Sequence, residues 1–290
     1  MRAADRPVAI IGAGTMGHGI AQITACSGFE VRLFDESSEA LGAAKSGIEL
    51  SLDRGVARGV VTREEREDAL ARIRLVGTLE EAVEACQIVI EAVPEDPDVK
   101  RTVFERLDEL ALPDAMLASN TSALSITMIA SWTERRGRVI GLHFFNPPDR
   151  MPLVEVVKGL TTDDKTIARA ERFCRQLGKE TIVVADRPGF ATSRLSATIG
   201  NEAWYMLMEG VASPEEIDKA VKLGLGFPMG PFELGDLIGL DVRLSVLRYL
   251  HQTLGERYRP CPMLVQYVEA GRLGRKTGRG VYEYHTAQDG

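Results

Sequence analysis

Val8-Ala9-Ile10-Ile11-Gly12-Ala13-Gly14-Thr15-Met16-Gly17 is the stretch on which the fold turns. Four apolar residues run straight into three glycines spaced G-x-G-x-x-G, and an apolar-periodic stretch, 16–27, follows at once, with Gly28 as its expected cap. The pattern predicts a buried strand, a tight turn and a helix. Each glycine then has its own task. Gly12 permits the turn, Gly14 lets backbone N–H groups approach a pyrophosphate, and Gly17 lets the helix pack on the strand, with its positive end facing the anion. Asp35 ends the next strand, Val31–Phe34, where a carboxylate accepts hydrogen bonds from an adenine-ribose diol and repels a 2′-phosphate. Glu36 follows and no arginine replaces it, so Gly12, Gly14, Thr15, Met16, Gly17 and Asp35 predict a site for NAD over NADP. The competing reading is a glycine-rich turn with no ligand.

The same rhythm continues outward. Helical patterns over 37–58, 80–85, 99–110 and 125–132 alternate with apolar runs at 88–93, 116–118, 139–144, 153–157 and 181–184, with Val76 opening a further short segment. Strands separated by helices predict an α/β fold, a Rossmann-like, doubly wound and mainly parallel sheet. Past Ala185-Asp186-Arg187-Pro188-Gly189 only helical periodicity remains, apart from an extended Val281-Tyr282, so the expected division is a nucleotide-binding domain, 1–186, and an all-helical domain, 187–290. Ser213-Pro214-Glu215-Glu216 starts one of its helices, and 234–254 reads as one long helix.

Bulk properties narrow the class further. The chain has 290 residues with 35 basic and 42 acidic side chains, a net charge of -7 that disfavours nucleic acid and anionic membranes as partners. No run approaches the ~18 apolar residues of a membrane span. Cys26, Cys86, Cys174 and Cys261 form neither a C-x-x-C pair nor a zinc pattern, and His18, His143, His251 and His285 form no ligand-spaced pair. No metal is expected. With no apolar leader ahead of the first strand, a reducing, cytoplasmic setting is expected.

Three clusters carry candidate chemistry. His143 ends the apolar run Gly141-Leu142-His143-Phe144-Phe145 before Asn146-Pro147-Pro148, and Glu155 sits inside Leu153-Val154-Glu155-Val156-Val157, where an unpaired carboxylate is costly. Both lie six residues from Asp149, so two strands returning on each other there would set them face to face. A carboxylate in that position fixes the histidine tautomer and favours its protonated form, which suits a general base for alcohol oxidation. A structural hydrogen-bonded pair explains the residues as well. Ser119-Asn120-Thr121-Ser122 follows a strand at the ligand-binding edge, where Ser122 is placed to donate to a substrate oxygen; a plain turn and helix cap is the alternative. Ser51, Arg54 and Arg58 share one face of the 37–58 helix, suited to a phosphorylated ligand or simply to solvent.

Taken together these segments resemble the (S)-3-hydroxyacyl-CoA dehydrogenase family, especially its short 3-hydroxybutyryl-CoA branch, over nearly the whole chain. The resemblance rests on the glycine loop, on 119–122, on 141–148, on 153–157, on Pro228-Met229-Gly230-Pro231 and on Lys276-Thr277-Gly278-Arg279-Gly280-Val281-Tyr282. It implies that His143 takes the hydroxyl proton while hydride passes to NAD, that Glu155 orients His143, and that Ser122 and Asn146 meet substrate and cofactor. It places Asp35, Glu95 and Lys100 at the cofactor and Ser51 and Arg58 near coenzyme A. Ser193, in Gly189-Phe190-Ala191-Thr192-Ser193-Arg194, stands where many members carry asparagine, and this departure bears on substrate range. The resemblance also implies an acyl-CoA substrate and a homodimer formed through the helical domain, which closes over the active cleft. Trp204, Tyr205, Met206 and Met208 offer apolar contact area there, or core packing within one subunit. Oxidation of a 3-hydroxydicarboxyl-CoA, of a free 3-hydroxy or sugar acid, or a non-catalytic NAD-binding scaffold are the rival readings.

Overall fold

A computed structural model describes residues 6–284. Eight strands form one sheet in the order β3-β2-β1-β4-β5-β6-β7-β8. They are β1 (Val8–Ile11), β2 (Val31–Phe34), β3 (Ile73–Leu75), β4 (Ile88–Glu91), β5 (Met116–Ser119), β6 (Val139–Phe144), β7 (Leu153–Lys158) and β8 (Glu180–Ala185). All neighbours pair in parallel except β6 and β7, which run antiparallel. The order reverses beside β1, and that reversal creates the crevice at which such sheets bind ligands.

The central strands are buried on both faces, which is why they read as continuous apolar runs. Val8 and Ile10 join Ile90, Ala118, Ile140 and Val156 in a core with Ile20, Ile48, Leu52 and Phe173. Successive side chains alternate, so Ala9, Ile11, Val89 and Leu117 are buried toward the opposite layer. The covering helices are α1 (Thr15–Cys26), α2 (Ser38–Ala57), α3 (Arg63–Ala71), α4 (Leu79–Val83), α5 (Pro97–Leu110), α6 (Ile126–Ser131) and α7 (Asp164–Gln176). Ser37 caps α2 by accepting from the Ala40 N–H, and Gly28 follows α1 at φ 87°, the left-handed geometry that ends a helix.

The chain divides into two compact units, one through Arg187 and one from Pro188. The second unit consists of α8 (Thr192–Met208), α9 (Pro214–Gly224), α10 (Pro231–Ile238), α11 (Leu240–Leu254) and α12 (Pro262–Glu269), packed around Trp204, Phe232, Leu244, Leu247 and Leu264. Trp204 is therefore core, Tyr205 and Met206 pack partly against it, and Met208 is exposed. Two buried carboxylates tie the last segment down. Asp236 accepts from the Val281 and Tyr282 N–H groups, and Asp218 accepts from Tyr282 Oη and from the Phe232 and Glu233 N–H groups.

Three expectations need correction, and one helix was not foreseen. The helix expected over 234–254 is two helices, because Gly239 at φ 108° interrupts it. Val281-Tyr282 is not a strand but a bent segment held by Asp236, next to an isolated bridge between Arg279 and Glu283. The segment expected to open at Val76 is β3, which ends at Leu75. Before it stands α3, unforeseen in the sequence although Thr62 and Glu65 form its capping box. His285 lies outside the described residues.

Candidate active site

The glycine loop leaves the carboxyl end of β1 with each glycine constrained differently. Gly12 has φ 101° and a Cβ there would lie 2.6 Å from the Ala92 carbonyl oxygen; at Gly17 it would lie 1.8 Å from that of Gly12. Neither tolerates a side chain. A Cβ at Gly14, the exposed N-cap of α1, meets nothing within 4 Å. Open space directly over the amino end of a helix is where a phosphate is accommodated. Asp35 closes the loop from β2, its carboxylate accepting from the Ala13 N–H at 2.7 Å and the Ser37 N–H at 2.9 Å. Thr15 and Met16 form the first turn of α1.

β6 and β7 place the candidate base. Their antiparallel register sets His143 opposite Glu155, the pairing expected from their spacing about Asp149. Glu155 is fully buried and His143 is 7% exposed. His143 Nδ1 lies 2.7 Å from Glu155 Oε2, a contact that assigns the ring proton to Nδ1 and leaves the lone pair on Nε2. The Phe145 ring packs 4.5 Å from the imidazole. Asn146, exposed, follows β6 and precedes Pro147 through a cis peptide. Lys179, buried, donates to the Pro148 and Met151 carbonyls at 2.6 and 2.8 Å and so anchors that turn from beneath.

Ser122 is exposed in the loop after β5, and Glu95 holds that loop. Glu95 Oε1 accepts from the Ser122 and Ala123 N–H groups at 3.0 Å each and from Thr121 Oγ1. Asn120 Oδ1 accepts from the Phe144 N–H, joining the ends of β5 and β6. Lys100, expected at the cofactor, is buried. It is 1% exposed and its ammonium lies 2.6 Å from Glu91, a fully buried carboxylate the sequence reading passed over. The signal was available, since Glu91 ends the apolar run Ile88-Val89-Ile90 just as Glu155 interrupts its own.

Strand order now sets the residues in sequence along one edge: Asp35 after β2, the glycine loop after β1, Glu95 after β4, Ser122 after β5, His143 on β6. Strands lie roughly 4.8 Å apart, so from β1 to β6 is about 14 Å, a span suited to an elongated ligand. The residues fit NAD, with a diol acceptor at Asp35, open N–H groups at Gly14 and donors at the far end. Ser51 on α2 and Arg58 just past its end belong to another element than this row, and Arg58 Nε donates to the Arg54 carbonyl. The cavity of about 430 Å³ beside α2 is lined by Asp53, Val56, Ala57, Arg63, Arg66 and Glu67, so it includes neither residue. Ser193 stands in the first turn of α8, half-buried, in the helical unit. Among the described residues no cluster of His, Cys, Asp and Glu could hold a metal ion.

Comparison with known proteins adds names to this geometry. Residues 7–187 match the family described as 3-hydroxyacyl-CoA dehydrogenase, NAD binding domain, and residues 189–284 its C-terminal domain. A 3-hydroxybutyryl-CoA dehydrogenase of Bradyrhizobium diazoefficiens is 46% identical over 289 residues, covering 99% of this chain and 98% of that protein. The crystal structure of a (S)-3-hydroxybutyryl-CoA dehydrogenase from Ralstonia eutropha superposes with a TM-score of 0.94 at 44% identity, covering 97% of this chain and 100% of that one. A 3-hydroxyadipyl-CoA dehydrogenase of Escherichia coli is 43% identical over 284 residues, 97% of this chain and 60% of that protein.

Proposed function

The chain belongs to the 3-hydroxyacyl-CoA dehydrogenase family, and from that premise we propose that it oxidises a short (S)-3-hydroxyacyl-CoA reversibly to the 3-ketoacyl-CoA, with NAD as oxidant and His143 as general base. The observation that carries the reading is the buried His143–Glu155 contact on the strand edge that also bears the glycine loop. Bound NAD supplies the acceptor for the hydride that leaves C3 of the substrate. The chain's own residues do the rest. Nε2 of His143 takes the hydroxyl proton, and the Glu155 carboxylate stabilises the imidazolium that results. Ser122 donates to the 3-oxygen, Asn146 positions substrate and cofactor, and Asp35 with Gly12, Gly14, Thr15, Met16 and Gly17 holds the nucleotide. Ser51 and Arg58 meet coenzyme A, and Ser193 sets acyl range.

Names of relatives favour a four-carbon acyl group, while the Escherichia coli relative supports a 3-hydroxydicarboxyl-CoA as the second reading. Following NADH absorbance as the protein meets NAD or NADP with (S)-3-hydroxybutyryl-CoA, 3-hydroxyadipyl-CoA and free 3-hydroxybutyrate separates the cases. Reduction of NAD by a thioester alone is expected; reduction by the free acid alone overturns the reading. A homodimer through the helical unit is supported by its exposed Leu223, Leu225, Leu237, Ile238 and Val242. Light scattering on the purified protein tests it. Four free thiols are consistent with a cytoplasmic setting. Among the described residues no helix is long and apolar enough to cross a membrane.

A further inference from the structure

At the ends of β4 and β5 lies a second buried acid–base pair, for which proton and hydride transfer have no use. Glu91 and Lys100 are 0% and 1% exposed and 2.6 Å apart. Their contacts converge on the loop that carries Ser122. Glu91 Oε1 accepts from Lys100 Nζ and from the Val93 N–H, and Glu91 Oε2 accepts from Ser119 Oγ at 2.6 Å. On its other side Lys100 Nζ lies 3.4 Å from Glu95 Oε2. Glu95 then gathers three donors of the 121–123 loop on its remaining oxygen.

A carboxylate can hold a loop only if it is itself held. Glu95 is 37% exposed in a stretch that belongs to no helix or strand, where its side chain would otherwise sample several rotamers. A fixed cation behind it selects one. Lys100 is such a cation, and a buried ammonium stays charged and in place only beside a counter-charge, which Glu91 provides. Burial pushes the Glu91 carboxyl upward, and Lys100, Ser119 and the Val93 N–H pull against that.

We propose that Glu91 and Lys100 are positioning residues for substrate oxygen: through Glu95 they fix the backbone from which Ser122 donates. The proposal rests on the dehydrogenase reading above for what Ser122 does. Two measurements test it. In the first, kcat/KM is compared for Lys100→Met, Ser122→Ala and the double variant. Lys100→Met is expected to lower kcat/KM at least tenfold in the parent and less than twofold in the Ser122→Ala background, with the Kd for NAD within threefold of the parent. Equal losses in both backgrounds overturn the proposal, and so does a loss of NAD affinity in step with kcat/KM, which would make Lys100 a cofactor contact. The second needs no turnover. Hydrogen exchange of the 121–123 amides is expected to quicken in Lys100→Met and in Glu91→Gln/Lys100→Met, the uncharged pair that keeps the buried volume. Unchanged exchange in folded variants overturns the brace. A parent enzyme silent on every 3-hydroxyacyl thioester overturns the reaction assigned to the site, and exchange still decides the brace.

Discussion

Two buried carboxylates on the same sheet, Glu91 on β4 and Glu155 on β7, make a controlled comparison. Both are fully buried, both stand in apolar strands, and both meet a basic side chain, at 2.6 and 2.7 Å. Their partners differ. Lys100 is enclosed with Glu91 as a buried ion pair, so its pair is useful as a brace. His143 is an imidazole, a side chain suited to taking up and returning a proton during a reaction, so its pair can follow one. A buried acid in a strand therefore announces a partner, and the chemistry of that partner decides between architecture and catalysis.

The comparison is broken most directly at His143. His143→Gln is expected to lower kcat by about 10²–10⁴-fold while the Kd for NAD, read by fluorescence titration, stays put. Retained turnover would make both pairs structural. Next in size is Glu91→Leu, which strands a buried ammonium and is expected to cost about 3–5 kcal/mol in urea unfolding. Replacing both partners, Glu91→Gln with Lys100→Met, should recover most of that stability; if it does not, the pair is more than a balanced charge. Glu155→Gln keeps the volume and a hydrogen-bonding group, so the expected stability loss is smaller, about 1–3 kcal/mol, with the larger effect on kcat. A reversed ranking of the two glutamates would dissolve the distinction. The smallest effect concerns burial without a counter-charge. The Cys86 and Cys174 thiols are pushed up to about 11 and about 12 by desolvation. Mild alkylation followed by mass spectrometry should therefore modify exposed Cys26 first and leave those two until the protein unfolds.

Much of the fold was legible because its determinants are local. Gly12 and Gly17 are dictated by backbone atoms a few residues away or on the next strand, and β1, buried on both faces, carries no polar residue to disguise it. His143 and Glu155 were legible because the turn between them is symmetric about Asp149. Glu91 offered the same signal and was passed over, since its partner comes from the first turns of α5 and no spacing rule says that a helix start folds back beneath a strand end. The polar composition of α3 hid it despite the Thr62 cap. At Gly239 apolar periodicity runs across the break, so the sequence suggests one helix where backbone geometry makes two. The clamps from Asp218 and Asp236 join residues far apart in the chain, and neither composition nor period reports such contacts.

The antiparallel step between β6 and β7 acts as a ruler. Because side chains alternate along a strand, deleting or inserting a single residue in 145–152 while the ladder re-forms would bring Val154 or Val156 opposite His143 and turn Glu155 to the other face. An indel that spares Asn146 conserves every residue of the site and still abolishes the pair. Length variation among natural or engineered descendants of this chain should therefore be rarer in that turn than in exposed connections elsewhere, and the twelve-residue interval becomes an inherited quantity in its own right.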